Sequence, residues 1–344
     1  MKFSIVIATY NRAPDLAGTL RSLAGLRPPG DWEVIVVDNN STDGTRACVE
    51  RASKTFPVEL RYLFERQQGR SPALNTGIGA ARGEIIATTD DDVRVDADWL
   101  DRAAAGLESL RCDYVGGKVL PIWGGERPRW LAARPTKHWA VIALLDYGEQ
   151  PIEFTTRVPL GVNMAFRRGA FARAGLFDVN TGRRAGTLLG QEVREWGIRA
   201  RAAGLRGFYV PEMSVRHIIP ASRLTKSYFR RWFFWRGISR AMLYERFGLD
   251  MEAPEQSTLD CSKVPHIAGV PRYLYRRLIA EAFGWLRAAL RGDREQAFEH
   301  DTWLWFFAGI VRQRAVTSRG AAPLAARPTG QIAAHLESPA SHQS

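Results

Sequence analysis

Three adjacent carboxylates, Asp90-Asp91-Asp92, close an apolar run at Glu84–Thr89. Such neighbours repel one another and call for a counter-charge. Hard oxygen ligands of this kind suit Mg²⁺ or Mn²⁺. A solvated acidic loop capping the next helix, extended by Asp96 and Asp98, is the plainer reading of the same residues. Polar clusters close earlier apolar runs too: Thr9-Tyr10-Asn11-Arg12, the segment from Asp38 to Gly44, and the Gly69-Arg70 loop. A lone Asp after a strand is ordinarily a helix cap, and Asp38 alone would mean no more than that. Further along, Glu192 and Glu195 are three residues apart on one helical face. Either offers a general base, or both are ordinary acids favouring a helix N-terminus. His217 stands alone, and a lone histidine is more often structural than a ligand.

The coincidence of these clusters with strand ends carries more weight than any one of them. Phe3–Ala8, Trp32–Val37, Glu59–Phe64 and Glu84–Thr89 read as strands. Helical patterns separate them: one opening at Pro14 with Leu16, Leu20 and Leu23 at helical spacing, one over Thr45–Phe56 and one near Ala73–Ala81. Trp32–Val37 is almost continuously apolar, as a parallel strand covered on both faces must be. Strands alternating with helices imply right-handed βαβ units and a mostly parallel α/β sheet. In such a sheet ligands bind beyond the carboxyl ends of the strands, where all these clusters fall. Neither a Walker loop nor Gly-x-Gly-x-x-Gly follows the first strand, so phosphate must be met in another way.

The middle third, Pro121 to Pro159, is rich in Pro, Gly and Trp and reads as long surface loops around short elements. Order returns at Gly161–Arg167, at a helix near Gly190–Ala203 and at a strand near Gly207–Val210. Residues 226–248 and 271–315 read as helices, and 318–344 as a disordered tail.

The chain has 344 residues with a net charge of +12 and only three cysteines, which argues against a disulfide framework or zinc ribbon. A reducing, cytoplasmic setting fits, and no apolar run reaches membrane-span length. Residues 216–246 hold 8 basic side chains against 1 acidic, the densest excess in the chain. That excess suits phosphate groups on lipid, nucleotide or nucleic acid. Interleaved with Trp, Phe and Tyr, it also suits an anionic membrane surface or a single-stranded nucleic-acid groove.

Taken in order, Ser4-Ile-Val-Ile-Ala-Thr-Tyr-Asn-Arg12, Val36-Val-Asp-Asn-Asn-Ser-Thr-Asp-Gly44, Gly69-Arg-Ser-Pro-Ala-Leu-Asn75 with Gly77 and Arg82-Gly83, and Thr89-Asp-Asp-Asp92 resemble the family 2 glycosyltransferases. The likeness continues through Gly161-Val-Asn163, Gly190-Gln-Glu-Val193, Gly204 and Tyr209-Val-Pro-Glu212 to His217. It implies a GT-A fold over residues 1–220, a helical extension over 221–317, and inverting sugar transfer from a nucleotide diphosphate-sugar.

The resemblance also assigns roles. Thr9, Tyr10, Asn11 and Arg12 would line the nucleobase and ribose site, and Asp38 would accept hydrogen bonds from the base. Arg70 and Asp91 would belong to the nucleotide-sugar site. Asp90 would face ribose and metal, Asp92 would bind the metal, and His217 would complete that site. The family's Glu-Asp pair reads Gln191-Glu192 here, which makes Glu192 the implied base. The implied acceptor is a bacterial cell-surface glycan or a lipid-linked precursor. It would be met in the cytoplasm or at the inner face of the cytoplasmic membrane, through 216–246, with no nucleic acid as partner. A sugar nucleotidyltransferase and a non-catalytic nucleotide- or RNA-binding protein are the rival readings. The absence of a glycine-rich basic loop after the first strand weighs against the former.

Overall fold

The computed structural model describes residues 1–28, 30–132, 135–251, 259 and 263–318; all of the expected tail except Ser318 lies outside the described residues. Strands β1 (Phe3–Thr9), β2 (Trp32–Asp38), β3 (Leu60–Phe64) and β4 (Ile85–Asp90) are parallel, in the spatial order β3-β2-β1-β4. Helices α1 (Ala13–Leu23), α2 (Thr45–Ser53) and α3 (Arg70–Ala80) make the crossovers. Every residue of β2 is buried, as two covered faces require. Register pairs Thr9 with Asp38 and Ala8 with Asp90, so the polar ends of three strands form one row.

Helix α3 starts earlier than the pattern near Ala73 suggests. Gly69 adopts φ +147, open to glycine, and Pro72 sits in the first turn, where a missing N–H costs nothing. The early start makes Arg70 the first helical residue.

The sheet continues through β5 (Val93–Val95), β6 (Tyr114–Gly124), β7 (Ile152–Glu153), β8 (Asn163–Arg167) and β9 (Gly207–Pro220), with α4 (Trp99–Ser109), α5 (Arg168–Ala174) and α6 (Glu192–Ala202) between them. Beyond β4 the order is β8-β6-β9-β5, and β8 runs antiparallel to both β4 and β6. The result is a mostly parallel first half joined to a mixed second half.

Two segments differ from the sequence reading. The strand expected to stop near Val210 runs 14 residues, through Pro211, to Pro220. A register shift between Gly117 and Val119 of β6 absorbs the proline, and Asn163 Nδ2 donates to the carbonyls of Lys118 (3.0 Å) and Met213 (2.7 Å) there. The Pro/Gly-rich 121–159 stretch runs as loops around short elements, but parts of it enter the core. Leu131, Trp139, Val141, Ile142, Leu144, Leu145 and Phe154 are buried, and Trp139–Ile142 forms a 3₁₀ turn against the core. Its irregular backbone shows no periodicity, which is why the sequence conceals its burial.

Helices α7 (Lys226–Phe247), α8 (Arg272–Leu290) and α9 (Arg294–Ser318) complete the described chain. At the α7–α9 contact, a Cβ on Gly237 would lie 2.0 Å from the Phe306 carbonyl, and one on Gly309 1.9 Å from the Phe234 carbonyl. The two backbones therefore touch through reciprocal glycines. Helix α8 leaves an apolar outer face: Ile279, Phe283, Leu286 and Leu290 are exposed, the last by 80%. Among the described residues no helix is long and apolar enough to cross a membrane.

Candidate active site

The row of strand ends opens into a cavity of about 920 Å³. One wall comes from the loops after β1 and β4. Thr9 Oγ1 donates to Asp91 Oδ2 at 2.7 Å, and Arg12 Nη1 reaches Asp91 Oδ1 at 3.3 Å and also bonds Asp92 Oδ2. Burial, reinforced by Asp92, pushes the Asp91 carboxyl up to about 7. Burial alone would raise Asp92 as well, but His217, Arg12 and Arg223 hold it well below the usual carboxylate range. The counter-charge that a run of aspartates requires is thus present within the chain, on Arg12, Arg70 and Arg223. The carboxylates by themselves therefore do not demand a cation.

A second observation is compatible with one. The Nδ1 of His217 lies 3.1 Å from the Ile142 carbonyl, which assigns the proton to that nitrogen. Its Nε2 lies 3.2 Å from Asp92 Oδ1, where either a proton or a metal ion would join the two. A histidine anchored through its other nitrogen and facing a carboxylate is a usual metal-ligand arrangement. Register places His217 beside Val93, directly after the aspartates. Asp92 and His217 therefore fit a divalent cation, although no cluster of three or more His, Cys, Asp or Glu is preassembled among the described residues.

Across the cavity, Arg70 binds three partners. It donates to Asp90 Oδ1 through Nε (3.2 Å) and Nη2 (2.7 Å), to the Gly161 carbonyl (3.0 Å) and to Glu192 Oε1 (3.0 Å). The other carboxylate oxygen of Glu192, Oε2, is buried with no partner at the cavity wall. An oriented carboxylate with one free oxygen can accept a proton from a bound hydroxyl. Glu195 differs. It is fully buried, accepts from Arg199 Nε and Nη2 at 2.8 Å each, and does not line the cavity. Of the two acids that the helix spacing left open, only Glu192 is placed for chemistry.

Not every expected residue reaches the cavity. Tyr10 does, and is 38% exposed. Asn11 instead ties two loops together, its N–H donating to Ser41 Oγ and its Oδ1 accepting from Thr42 N–H. Asp38 spends one oxygen on Ser41 N–H (2.8 Å) and the other on the Tyr62 hydroxyl (2.9 Å). Its neighbour Asn39, not singled out from the sequence, faces the cavity and accepts from Gly69 N–H at 2.7 Å.

The basic 216–246 segment is largely spoken for. Arg216 pairs with Asp96, Arg223 approaches Asp92, and Arg230 pairs with Asp301. Arg246 pairs with Asp178. Tyr228, Trp232, Arg236 and Ser239 of α7 line the cavity, as does Arg194 of α6. Of the adjacent Arg230 and Arg231, only Arg231 is exposed and outside these pairings. Charge counting could not find this, because the arginines of α7 are spread around the whole helix.

Comparison with known proteins identifies the family and the fold. Residues 4–175 match the model of the glycosyl transferase family 2. The chain is 28% identical over 246 residues to the succinoglycan biosynthesis protein ExoM of Rhizobium meliloti, covering 71% of this chain and 75% of that one. It is 26% identical to a glucosyl-dolichyl phosphate glucuronosyltransferase of Haloferax volcanii, over 71% and 77% of the two chains. Among solved structures it shares its fold with the mannosyltransferase PcManGT of Pyrobaculum calidifontis, determined with GDP-Man and Mn²⁺: TM-score 0.51, 21% identity, 94% of this chain and 76% of that one. The chain belongs to glycosyl transferase family 2, has a GT-A fold and is a glycosyltransferase.

Proposed function

We propose that this family 2 member transfers a sugar from a nucleotide diphosphate-sugar to an acceptor hydroxyl with inversion, in the synthesis of a bacterial cell-surface glycan or glycolipid. The observation that carries the reading is the shared guanidinium of Arg70. It ties Asp90, on the donor side, to Glu192, whose second oxygen stays free. Glu192 takes the proton from the attacking hydroxyl through Oε2 while Arg70 fixes its orientation. A single free carboxylate acting as base, with Asp90 held by Arg70, favours direct displacement at the anomeric carbon.

Asp90, Asp92 and His217 would hold Mg²⁺ or Mn²⁺. When bound, the metal would neutralise the departing nucleoside diphosphate. Thr9, Tyr10 and Arg12, with Asn39 and Gln68 beside them, form the nucleotide wall. For a lipid-linked acceptor, we place the contact with an anionic bilayer on the outer face of α8. There exposed Phe283, Leu286 and Leu290 are flanked by exposed Arg276, Arg287 and Arg291, the pairing of apolar and basic groups that such an interface takes. This shifts the membrane contact expected for 216–246 onto a neighbouring helix.

The test is a thermal-shift panel of nucleotide sugars with Mn²⁺, followed by nucleoside diphosphate release on adding acceptor glycans. A ligand at a hundred times its dissociation constant stabilises by about 2.7 kcal/mol. Stabilisation by one donor and acceptor-dependent release with an inverted product anomer are expected. If no nucleotide sugar stabilises the chain and it is retained on an RNA column in a salt-sensitive way, the reading is overturned in favour of nucleic-acid binding.

A further inference from the structure

The aspartate end of the cavity is electrically balanced, and the opposite end is not. Arg12, Arg70 and Arg223 each lie beside a carboxylate. Arg194 and Arg236 also line the cavity but have no carboxylate neighbour among the described residues. Arg194 Nη1 is buried with no hydrogen-bond partner. The guanidinium of Arg236 stacks over the Trp232 ring, 5.3 Å from its centroid, one turn back on α7. Burial pushes both groups down to about 10, and for Arg194 the nearby like charge of Arg236 adds to the effect.

Burying an unpaired charge is costly, and two cations sharing one pocket compound the cost. Glutamine or methionine would fill the same space without that penalty. Two such groups on different helices, both reaching one open cavity, are what an absent anion would complete. The donor diphosphate is a poor candidate. Arg194 is two residues beyond Glu192 on α6, and residues two apart on a helix do not face the same way. Arg194 therefore opens on a different part of the cavity from Glu192, close to Tyr147 and Arg236.

We propose that Arg194 and Arg236 form an oxyanion subsite for a phosphate or carboxylate carried by the acceptor; this rests on the reading of the cavity as a sugar-transfer site. Each guanidinium presents a planar fork of donors that matches two oxygens of such a group. An acceptor phosphate, as in a lipid phosphate, and the carboxylate of a sugar acid share this chemistry.

The test uses the full chain in chelator without donor, with methyl phosphate, glucuronate and neutral glucose as probes. Calorimetry should show binding of at least one anion and not of glucose. Methyl phosphate alone would identify a phosphate-bearing acceptor, and glucuronate alone a sugar acid. Arg194→Gln and Arg236→Gln should each weaken that binding by about 10- to 100-fold, the range for one charge-assisted pair. Without anion, both variants should melt at or above the wild-type temperature, because a buried repulsion has been removed. A merely structural arginine would lower it.

Should either variant fail to fold, dicarbonyl modification of wild-type arginines supplies the answer, with phosphate or glucuronate expected to protect Arg194 and Arg236. Unchanged anion binding in the variants, or the absence of both binding and protection in the wild type, overturns the subsite. These readouts need no turnover. Anion binding without nucleotide release would count against the transferase reading alone, and release with no anion effect against the subsite alone.

Discussion

Asp90 and Glu192 never touch, yet one guanidinium holds both: Arg70 donates to Asp90 Oδ1 at 2.7 Å and to Glu192 Oε1 at 3.0 Å. The residue at the close of β4 and the residue that opens α6 are thereby set in fixed relation. Lysine in place of Arg70 would keep the charge and lose the fork. Arg70→Lys is expected to lower kcat by about 10- to 100-fold, the equivalent of one or two charge-assisted hydrogen bonds. Steady-state kinetics with an unchanged melting temperature would support a positioning role. Unaltered kcat would remove it.

Replacing Glu192 with glutamine keeps the shape and deletes the proton acceptor. Turnover should fall by about 10²–10⁴-fold with donor binding near normal. Glu195→Gln should act differently, through stability, because it strips Arg199 and Arg246 of a buried partner at a cost of about 3 kcal/mol. Denaturant melts and rate measurements on both variants separate the two effects. A normal rate in Glu192→Gln beside a lost rate in well-folded Glu195→Gln would reverse the assignment.

Metal dependence is checked at Asp92. Asp92→Asn is expected to abolish transfer, and chelator should do the same to the wild type, with recovery on adding Mn²⁺. Full activity in excess chelator would end the metal reading.

Acid stability should depend on Glu33, which is fully buried on β2. Burial by itself would raise its carboxyl, but bonds from Ser4, Arg82 and Arg61 hold it down to about 2. A depressed carboxyl stabilises the fold above its unfolded value of 4.5, and the contribution is lost as pH falls through about 2. The shift corresponds to about 3 kcal/mol. Thermal melts across pH 2–5 should therefore show a flatter decline in Glu33→Gln than in the wild type.

Attachment to membranes is read by co-sedimentation with phosphatidylglycerol vesicles. Binding at low salt that weakens as salt rises is expected, with each arginine near the surface contributing about 1 kcal/mol. Phe283→Ser combined with Leu290→Ser should release the protein more than Arg231→Glu does. The opposite ranking would return the contact to α7.

The first half of the fold was legible because parallel strands announce themselves: β2 is a run of buried apolar residues, and each strand stops at turn formers. For the same reason Thr9, Asp38 and Asp90 were readable as one edge. What the sequence could not convey is which side chains meet across distant segments. Arg70 and Glu192 each carried a signal, but their union needs two helix N-termini brought face to face. Asp38 and Asn39 are adjacent and equally polar, and only backbone direction decides that Asn39 faces the cavity. The arginines of α7 defeat charge counting outright, since Arg231 is exposed while Arg236 faces the cavity on the same helix.

Gly237 and Gly309 interlock on the side of α7 that meets α9, while Tyr228, Trp232, Arg236 and Ser239 face the cavity. A helix keyed this closely cannot roll about its own axis, because any added methyl at either glycine strikes a carbonyl of its partner. The aromatic and basic face turned to the cavity is therefore indexed from behind, like a cylinder held by a detent. An alanine at Gly309 would force α7 and α9 apart, and so would move cavity-lining residues without touching any of them.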